Sequence, residues 1–173
     1  MAPRRWMAVT LTWLGRAAAV AASLLALSFP VHATTFQGVV THVTDGDSLW
    51  VRPVSGGAAH EVRLQDIDAP EICQPFGDQS RRALAAHVLH RPVTVTSRAR
   101  DSYQRVLGRV SLGGEDVGGW MVGRGYAWSY GYRGKAGAYQ AQEAQARRAR
   151  LGLWRSGPAI EPRLFRKRHG SCK

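Results

Sequence analysis

Hydrophobic and polar residues alternate along the part of the chain that follows residue 33. Three segments rich in β-branched residues show this alternation: 36–43, 48–54 and 60–64. A period of two is typical of strands with one buried face. Asp45-Gly46 separates the first two segments, and Gly56-Gly57 lies before the third; both pairs are turn signals. The pattern therefore predicts three antiparallel strands, the third of which continues into residues 65–70.

The hydrophobic period then changes to that of a helix. Leu84 and Val88 form an apolar pair at i,i+4, which indicates a helical face. Asp78 is a suitable N-cap, and Pro92 stops the pattern, so we expect a helix from Asp78 through His90.

The second half of the chain returns to strands and then ends in helices. The predicted strands are 93–97 and 106–112, joined by a turn over 98–104, and the predicted helices are 117–123 and 135–151. Helices that follow a sheet rather than alternate with it favour an α+β domain, here mainly β. We expect five antiparallel strands that close into a small OB-type barrel with about three helices.

The N-terminal 33 residues have the layout of a secretory signal peptide. Arg4, Arg5 and Arg16 precede an apolar run over 17–31, and the small residue Ala33 suits cleavage. The predicted organisation is a signal peptide at 1–33, a barrel domain at 34–156 and a basic C-terminal tail at 157–173. Cleavage near Ala33 predicts an exported protein, periplasmic or extracellular; the alternative is an uncleaved membrane anchor.

Charge and composition narrow the class of protein. The chain has 24 Lys and Arg against 12 Asp and Glu, a formal net charge of +12, and 21 of the basic residues are arginine. Arginine matches phosphate bidentately, so this excess indicates a polyanionic partner. A hydrophobic content of 45% excludes intrinsic disorder, and two cysteines exclude a disulfide-dominated scaffold or a cysteine-rich zinc site.

Five of the 12 acidic residues fall into two clusters: Asp45 and Asp47, then Asp66, Asp68 and Glu71. The hairpin brings the two clusters together, where like charges repel unless a cation lies between them. Oxygen ligands suit a hard ion such as Ca²⁺. The clusters therefore favour a metal site over a pair of ordinary Asp-Gly turns.

Two arginines, together with the acidic clusters, indicate that the site acts on a phosphate group. Arg63 leads into the second acidic cluster, and Arg105 follows the turn that begins at Asp101. Guanidinium groups and a cation neutralise a phosphodiester, while a carboxylate outside the metal shell can accept a proton from water.

Three blocks of sequence resemble the signature motifs of the staphylococcal nuclease-like (thermonuclease) family. They are Asp45-Gly46-Asp47-Ser48, the Arg-Leu-Gln-Asp-Ile-Asp-Ala-Pro-Glu stretch at 63–71, and Asp-Ser-Tyr-Gln-Arg at 101–105. The segments 125–127 and 152–154 are also similar to family features, so the resemblance covers about 36–154. It implies an OB-fold barrel and Ca²⁺-dependent hydrolysis of DNA and RNA on the 5′-oxygen side, with weak sequence specificity and 3′-phosphate products.

The resemblance also implies roles for individual residues. Asp47 and Asp68 would ligate Ca²⁺ through their carboxylates, and Ala69 through its backbone carbonyl. Glu71 would be the general base or would orient water. The scissile phosphate would be clamped by Arg63 and Arg105.

The resemblance extends to aromatic residues and has two departures. Tyr103, Tyr130 and Tyr132 resemble tyrosines that contact substrate or flank the nucleotide pocket in the family. Ser102 stands where the best-known member has lysine, and Gln104 replaces the usual glycine before the second arginine.

Nucleic acids are the expected partners. The alternative function is a non-catalytic OB-fold module that binds nucleic acid through the same basic surface. Two acidic clusters together with Glu71 and two arginines favour the enzyme. We expect DNA and RNA substrates, no stable protein partner, a monomer, and membrane contact only if the signal segment is uncleaved.

Cys73 and Cys172 are the only cysteines. In an oxidising compartment they could form a disulfide that folds the tail back beside the active-site loop. The alternative is two free thiols and a loose tail.

Overall fold

A computed structural model of the chain describes residues 33–172, and residues 1–32 and 173 lie outside this described part. The predicted signal peptide at 1–33 therefore falls almost entirely outside the described residues. Among residues 33–172, no helix is long and apolar enough to cross a membrane.

The elements of the fold have the following bounds. The strands are β1 Thr34–Val43, β2 Ser48–Pro53, β3 His60–Leu64, β4 Ile67–Asp68, β5 Pro92–Arg100, β6 Val106–Leu112, β7 Glu115–Asp116 and β8 Trp128–Ser129. The α-helices of the described residues are α1 Gly77–Val88, α2 Val117–Gly123, α3 Gln140–Arg148 and α4 Pro162–His169. Two 3₁₀ turns lie at Tyr132–Gly134 and Gly152–Trp154.

Five strands close into a barrel. The sheet order is β3-β2-β1-β5-β6-β7, and β3 also pairs with β6. That closing pair is parallel, with Val62 opposite Val106, whereas the other pairs of the barrel are antiparallel. The expected five-stranded OB-type barrel is confirmed, but the expectation that all its strands run antiparallel is wrong at this seam. Closure removes the open sheet edges that a flat arrangement would leave.

The core lies inside the barrel and under two helices. Alternate residues of the strands point inward, and α1 and α2 cover the barrel with apolar side chains. The largest fully buried side chains are Leu49, Leu64, Leu84, Met121, Val40, Val51, Val62, Val88, Val95, Val110, Val117 and Val122. Burial of this set is the main favourable contribution to folding.

Helix α1 begins differently from the expectation. Asp78 lies in its first turn rather than at its N-cap, which is Phe76 with φ 74° and no side-chain cap. The reason is a close approach: a Cβ at Gly77 would collide with the Glu71 carbonyl. The helix therefore starts where the chain has left the Glu71 loop, and it ends at Val88 rather than His90.

Other parts of the chain also differ from the expectation. Helix α3 covers Gln140–Arg148 instead of 135–151. Its N-cap residue Tyr139 donates its N–H to Ser129 Oγ at 3.0 Å rather than to a carbonyl one turn earlier. The short β4–β8 ribbon was not predicted, nor was α4, which lies within the predicted tail.

We expect Leu49→Ala to lower the free energy of unfolding by about 2–5 kcal/mol, because it removes fully buried methyl groups and leaves a cavity. Val54→Ala is the control, since Val54 is 69% exposed; its effect should stay within about 0.5 kcal/mol. Urea unfolding followed by tryptophan fluorescence measures both. Equal effects of the two substitutions would contradict this description of the core.

Candidate active site

Asp47 ends the turn between β1 and β2 and is 1% exposed. Its backbone N–H donates to Asp45 Oδ1 at 2.9 Å, and its carbonyl accepts from Leu64 N at 2.7 Å. Its Oδ2 accepts a hydrogen bond from Ala69 N at 2.7 Å. These bonds join the first acidic cluster to β3 and to the second cluster.

Asp68 is placed by the short β4–β8 ribbon. It lies opposite Trp128 in the ribbon and is 4% exposed. Ala69 follows it and binds Asp47 through its backbone N–H, so the three residues predicted as metal ligands are brought to one location. A buried pair of carboxylates requires compensating positive charge.

Arg63, on β3, supplies part of that charge. Its Nη1 forms an ion pair with Asp47 Oδ1, and its Nη2 donates to Asp68 Oδ1 at 3.0 Å. One guanidinium therefore bridges the two carboxylates. Strand pairing to β2 and β6 on either side fixes the position of Arg63.

Arg105 reaches the same location from the turn before β6. Its Nε donates to Asp101 Oδ2 at 2.7 Å, and its Nη1 donates to Ser48 Oγ at 3.3 Å. The Ser48 hydroxyl in turn donates to Asp47 Oδ1 at 3.2 Å. Asp101 also holds the turn, because its Oδ1 accepts from the backbone N–H groups of Tyr103 and Arg105.

Glu71 lies in the loop that leads to α1. Its backbone N–H donates to Gln74 Oε1 at 3.2 Å, and its carbonyl accepts from Gln74 N at 2.8 Å. Gly77 packs against that carbonyl, as described above. The loop is therefore compact and presents the Glu71 carboxylate toward Asp68, because one side chain contacts both.

That side chain is Arg166 of α4, which was not predicted. Its Nη1 donates to Asp68 Oδ1 at 3.0 Å and to Glu71 Oε1 at 2.8 Å, while its Nη2 donates to Asp68 Oδ2 at 3.0 Å. A disulfide joins Cys73 to Cys172 and attaches the end of the tail to the Glu71 loop.

The three predicted substrate-binding tyrosines are exposed, and two of them line a cavity at the site. A cavity of about 520 Å³ is lined by Tyr130 and Tyr132 together with Arg63, Asp68 and Arg166. Tyr103 is 79% exposed and does not belong to the residues lining that cavity; its ring instead lies 5.4 Å from the Arg105 guanidinium carbon. A larger cavity of about 940 Å³ lies beside α1 and includes none of the predicted catalytic residues.

The donor set suits a hard cation only in part. No group of three or more His, Cys, Asp or Glu side chains in residues 33–172 is arranged to hold a metal ion. Asp47 and Asp68 contribute two nearly buried carboxylates, and Ca²⁺ takes 6–8 oxygen ligands. Backbone carbonyls and water would have to complete the shell, as the sequence resemblance implies for Ala69. With these additional oxygen ligands, the residues present fit such an ion.

Protonation equilibria follow this charge arrangement. Burial raises the pKa of Asp45 above its ordinary value, although Arg63 and Arg105 oppose the rise. Burial also raises the pKa of Asp101, but hydrogen bonds from Arg105 and Tyr103 outweigh it, so the pKa of Asp101 is lowered overall. For Arg166, burial acts to lower the pKa, and its bonds to Asp68 and Glu71 raise it overall.

Comparison with known proteins identifies the family. A family model described as staphylococcal nuclease homologue matches residues 61–156, more than half of the chain. A micrococcal nuclease of Shigella flexneri is 39% identical over 161 residues, which cover 87% of this chain and 91% of that protein. The chain belongs to the staphylococcal nuclease-like family. Protein ParB of Escherichia coli is 37% identical over 165 residues, covering 87% of this chain and 89% of its own; an uncharacterized endonuclease of the same species is 34% identical, covering 84% and 94%.

Gln104 departs from the staphylococcal nuclease-like motifs, and the backbone explains why glycine is usual at this position. Its φ is 65°, in the left-handed region that favours glycine. The turn nevertheless forms, because Gln104 N donates to the Asp101 carbonyl at 3.0 Å and Arg100 Nη1 donates to the Gln104 carbonyl at 2.6 Å. Ser102, the other departure, lies in the same turn.

Three residues of the site were given no role by the sequence. Ser48 and Asp101 lie inside the nuclease motifs, so their position was the available signal. Arg166 lies in a basic run that also contains Arg163, Lys167 and Arg168. The sequence of that run does not distinguish Arg166 from its basic neighbours; only the folded position of α4 does.

We expect Asp101→Asn to lower the free energy of unfolding by about 1–2 kcal/mol at pH 7, because it removes the ionic partner of Arg105. The folded pKa of Asp101 is lowered, so its contribution is present above the unfolded pKa of about 3.9 and is lost as pH falls through the folded value. Urea unfolding at pH 7 and near pH 3 measures the change.

Glu61→Gln is the matched control, since Glu61 has no ion pair among the described residues. A difference between Asp101→Asn and the native chain that persists undiminished near pH 3 would show that the ionised carboxylate is not the stabilising group.

Proposed function

We propose that this chain is an exported, Ca²⁺-dependent nuclease that acts on DNA and RNA with weak sequence specificity and leaves 3′-phosphates. As a member of the staphylococcal nuclease-like family, the chain is a hydrolase of phosphodiester bonds. Beyond this activity, we propose that the cation is Ca²⁺, that the products carry 3′-phosphates and that the protein is exported.

One observation carries the proposal. Asp47 and Asp68 are nearly buried and share the guanidinium of Arg63. Arg166 in turn links Asp68 to Glu71. A binding module has no need to concentrate carboxylates on a surface that attracts phosphate, since they repel it. A cation-dependent phosphodiesterase uses carboxylates to hold the cation, and a further carboxylate can accept the proton of the attacking water.

Asp47 and Asp68, with the Ala69 carbonyl, would hold the cation. When bound, Ca²⁺ supplies positive charge that stabilises the five-coordinate phosphorus.

The remaining chemistry belongs to the side chains. Water adds to phosphorus while the bond to the 5′ oxygen breaks. Glu71 accepts the proton from that water, and the departing 5′ alkoxide takes up a proton from solvent water. The charge that develops on the phosphoryl oxygens is neutralised by Arg63 and Arg105. Asp101 and Ser48 orient Arg105 for this role.

The surface around the site supports a sequence-tolerant substrate. Tyr130 and Tyr132 are 41% and 63% exposed and line the cavity beside Asp68. Bases of any sequence stack on aromatic rings, with a contribution of about 1–3 kcal/mol per base. Basic residues of α4, including Arg163 on the same cavity, add attraction for the backbone.

Export is supported by two features. The first 33 residues have the layout of a signal peptide. The Cys73–Cys172 disulfide is of the kind that persists in oxidising compartments.

We expect the purified protein to cleave single-stranded DNA and RNA at low salt when Ca²⁺ is present and to stop when a chelator is added. The products should resist extension by a polymerase until a phosphatase removes their 3′-phosphates. Gel electrophoresis with this end-group analysis measures both. Tight binding without cleavage under any divalent cation would instead make the chain a nucleic-acid-binding barrel.

We expect Glu71→Gln to lower turnover by about 10²–10⁴-fold, because it preserves shape and removes the proton acceptor. Binding of a DNA oligonucleotide should change little. Glu61→Gln is again the control and should cleave at the native rate. Native turnover by Glu71→Gln would remove Glu71 from its proposed role.

A further inference from the structure

The C-terminal segment is attached to the active-site loop at two places, one on each side of α4. The Ile160 carbonyl accepts a hydrogen bond from Gln74 Nε2 at 2.6 Å, and Cys172 is bonded to Cys73. Between these attachments, α4 buries Pro162 and Phe165 against the protein. Helix α4 is therefore held with Arg166 directed into the site.

Arg166 contacts the atoms that a cation would need. Its two terminal nitrogens contact both carboxylate oxygens of Asp68, and one of them also contacts Glu71. A fork of parallel N–H donors on a carboxylate is the strong form of this interaction. Asp68 and Glu71 are thus neutralised from within the chain.

A cation and this guanidinium exclude each other at Asp68. Ca²⁺ binds carboxylate oxygens at about 2.3–2.6 Å, and Arg166 nitrogens lie 3.0 Å from both Asp68 oxygens. A cation and a guanidinium bound to the same two oxygens would repel each other, and each would block the approach of the other to Asp68. Glu71 is engaged as well, because Arg166 Nη1 lies 2.8 Å from its Oε1.

We propose that Arg166 is a tethered internal competitor of the divalent cation, which must leave Asp68 and Glu71 before the site is complete. The proposal rests on the proposed function, since it assigns a regulator to the same cation site. By linkage, each ligand of Asp68 weakens the other by the same factor. The cation affinity of this chain is therefore set partly by how firmly α4 is held.

The disulfide sets the strength of this competition. A tethered group acts at an effective concentration that is fixed by its linker. The Cys73–Cys172 bond ties the end of the C-terminal segment to the Glu71 loop, so Arg166 is connected to the site by a short linker. Reduction of the bond lowers the effective concentration of Arg166. A reducing environment is then expected to raise the affinity of the site for its cation.

Isothermal titration calorimetry with Ca²⁺ tests the proposal directly. We expect Arg166→Gln to bind Ca²⁺ about tenfold more tightly than the native protein, within the usual range of coupling between two sites. Arg168→Gln is the matched control: it removes the same charge from an exposed residue of the same helix, and its affinity should stay within about twofold of native. Equal affinities for the two variants would overturn the proposal.

The native protein provides a second readout that needs no substitution. Saturation with Ca²⁺ should increase hydrogen exchange at the backbone amides of α4, because the cation displaces Arg166. Unchanged exchange in α4 at saturating Ca²⁺ would contradict displacement. A circular dichroism spectrum of each variant shows whether it folds. If Arg166→Gln does not fold, the hydrogen-exchange experiment on the native protein tests whether Ca²⁺ displaces Arg166.

The two proposals fail in different ways. If no form of the protein binds Ca²⁺, both this inference and the Ca²⁺ dependence of the nuclease are wrong. If the native protein binds Ca²⁺ and cleaves nucleic acid while Arg166→Gln and Arg168→Gln bind it equally, the inference alone is wrong. Tighter binding by Arg166→Gln, and by the native protein after reduction of the disulfide, supports it.

Discussion

The arrangement of this end of the barrel depends on compensating the charge of three carboxylates. Asp47 and Asp68 are almost fully buried, and isolated charges in such a location are strongly unfavourable. Arg63 and Arg166 neutralise them and extend the network to Glu71. The hairpin turn, the β4–β8 ribbon, the Glu71 loop and α4 each contribute one part of this network, so their positions depend on one another.

Much of the barrel could be predicted because it follows from local pattern. Period-two alternation identified the five strands, and Asp45-Gly46 identified the first hairpin. The start of α1 could not be predicted, because it depends on Gly77 packing against Glu71 rather than on a capping side chain. Strands β4 and β8 have two residues each, too few to show any period.

The placement of the candidate site residues was predictable to the extent that they lie within motifs. Asp47, Asp68, Ala69, Arg63 and Arg105 are brought together as the motif spacing suggested, and Glu71 joins them. Arg166 was not predictable, because its partners lie 98 and 95 residues away in the chain. Its contact depends on where Phe165 packs and on the disulfide, and neither is visible in the composition of the basic run.

The two guanidinium groups differ in how easily each can leave. Arg63 belongs to a strand paired on both sides inside a closed barrel, and opening that structure requires disrupting the core. Arg166 belongs to an eight-residue terminal helix in which only Pro162 and Phe165 are buried. Local opening favours the element with fewer buried contacts. When a third positive charge enters this network, Arg166 is therefore the group that yields, while Arg63 remains to bridge Asp47 and Asp68 or to meet a phosphate.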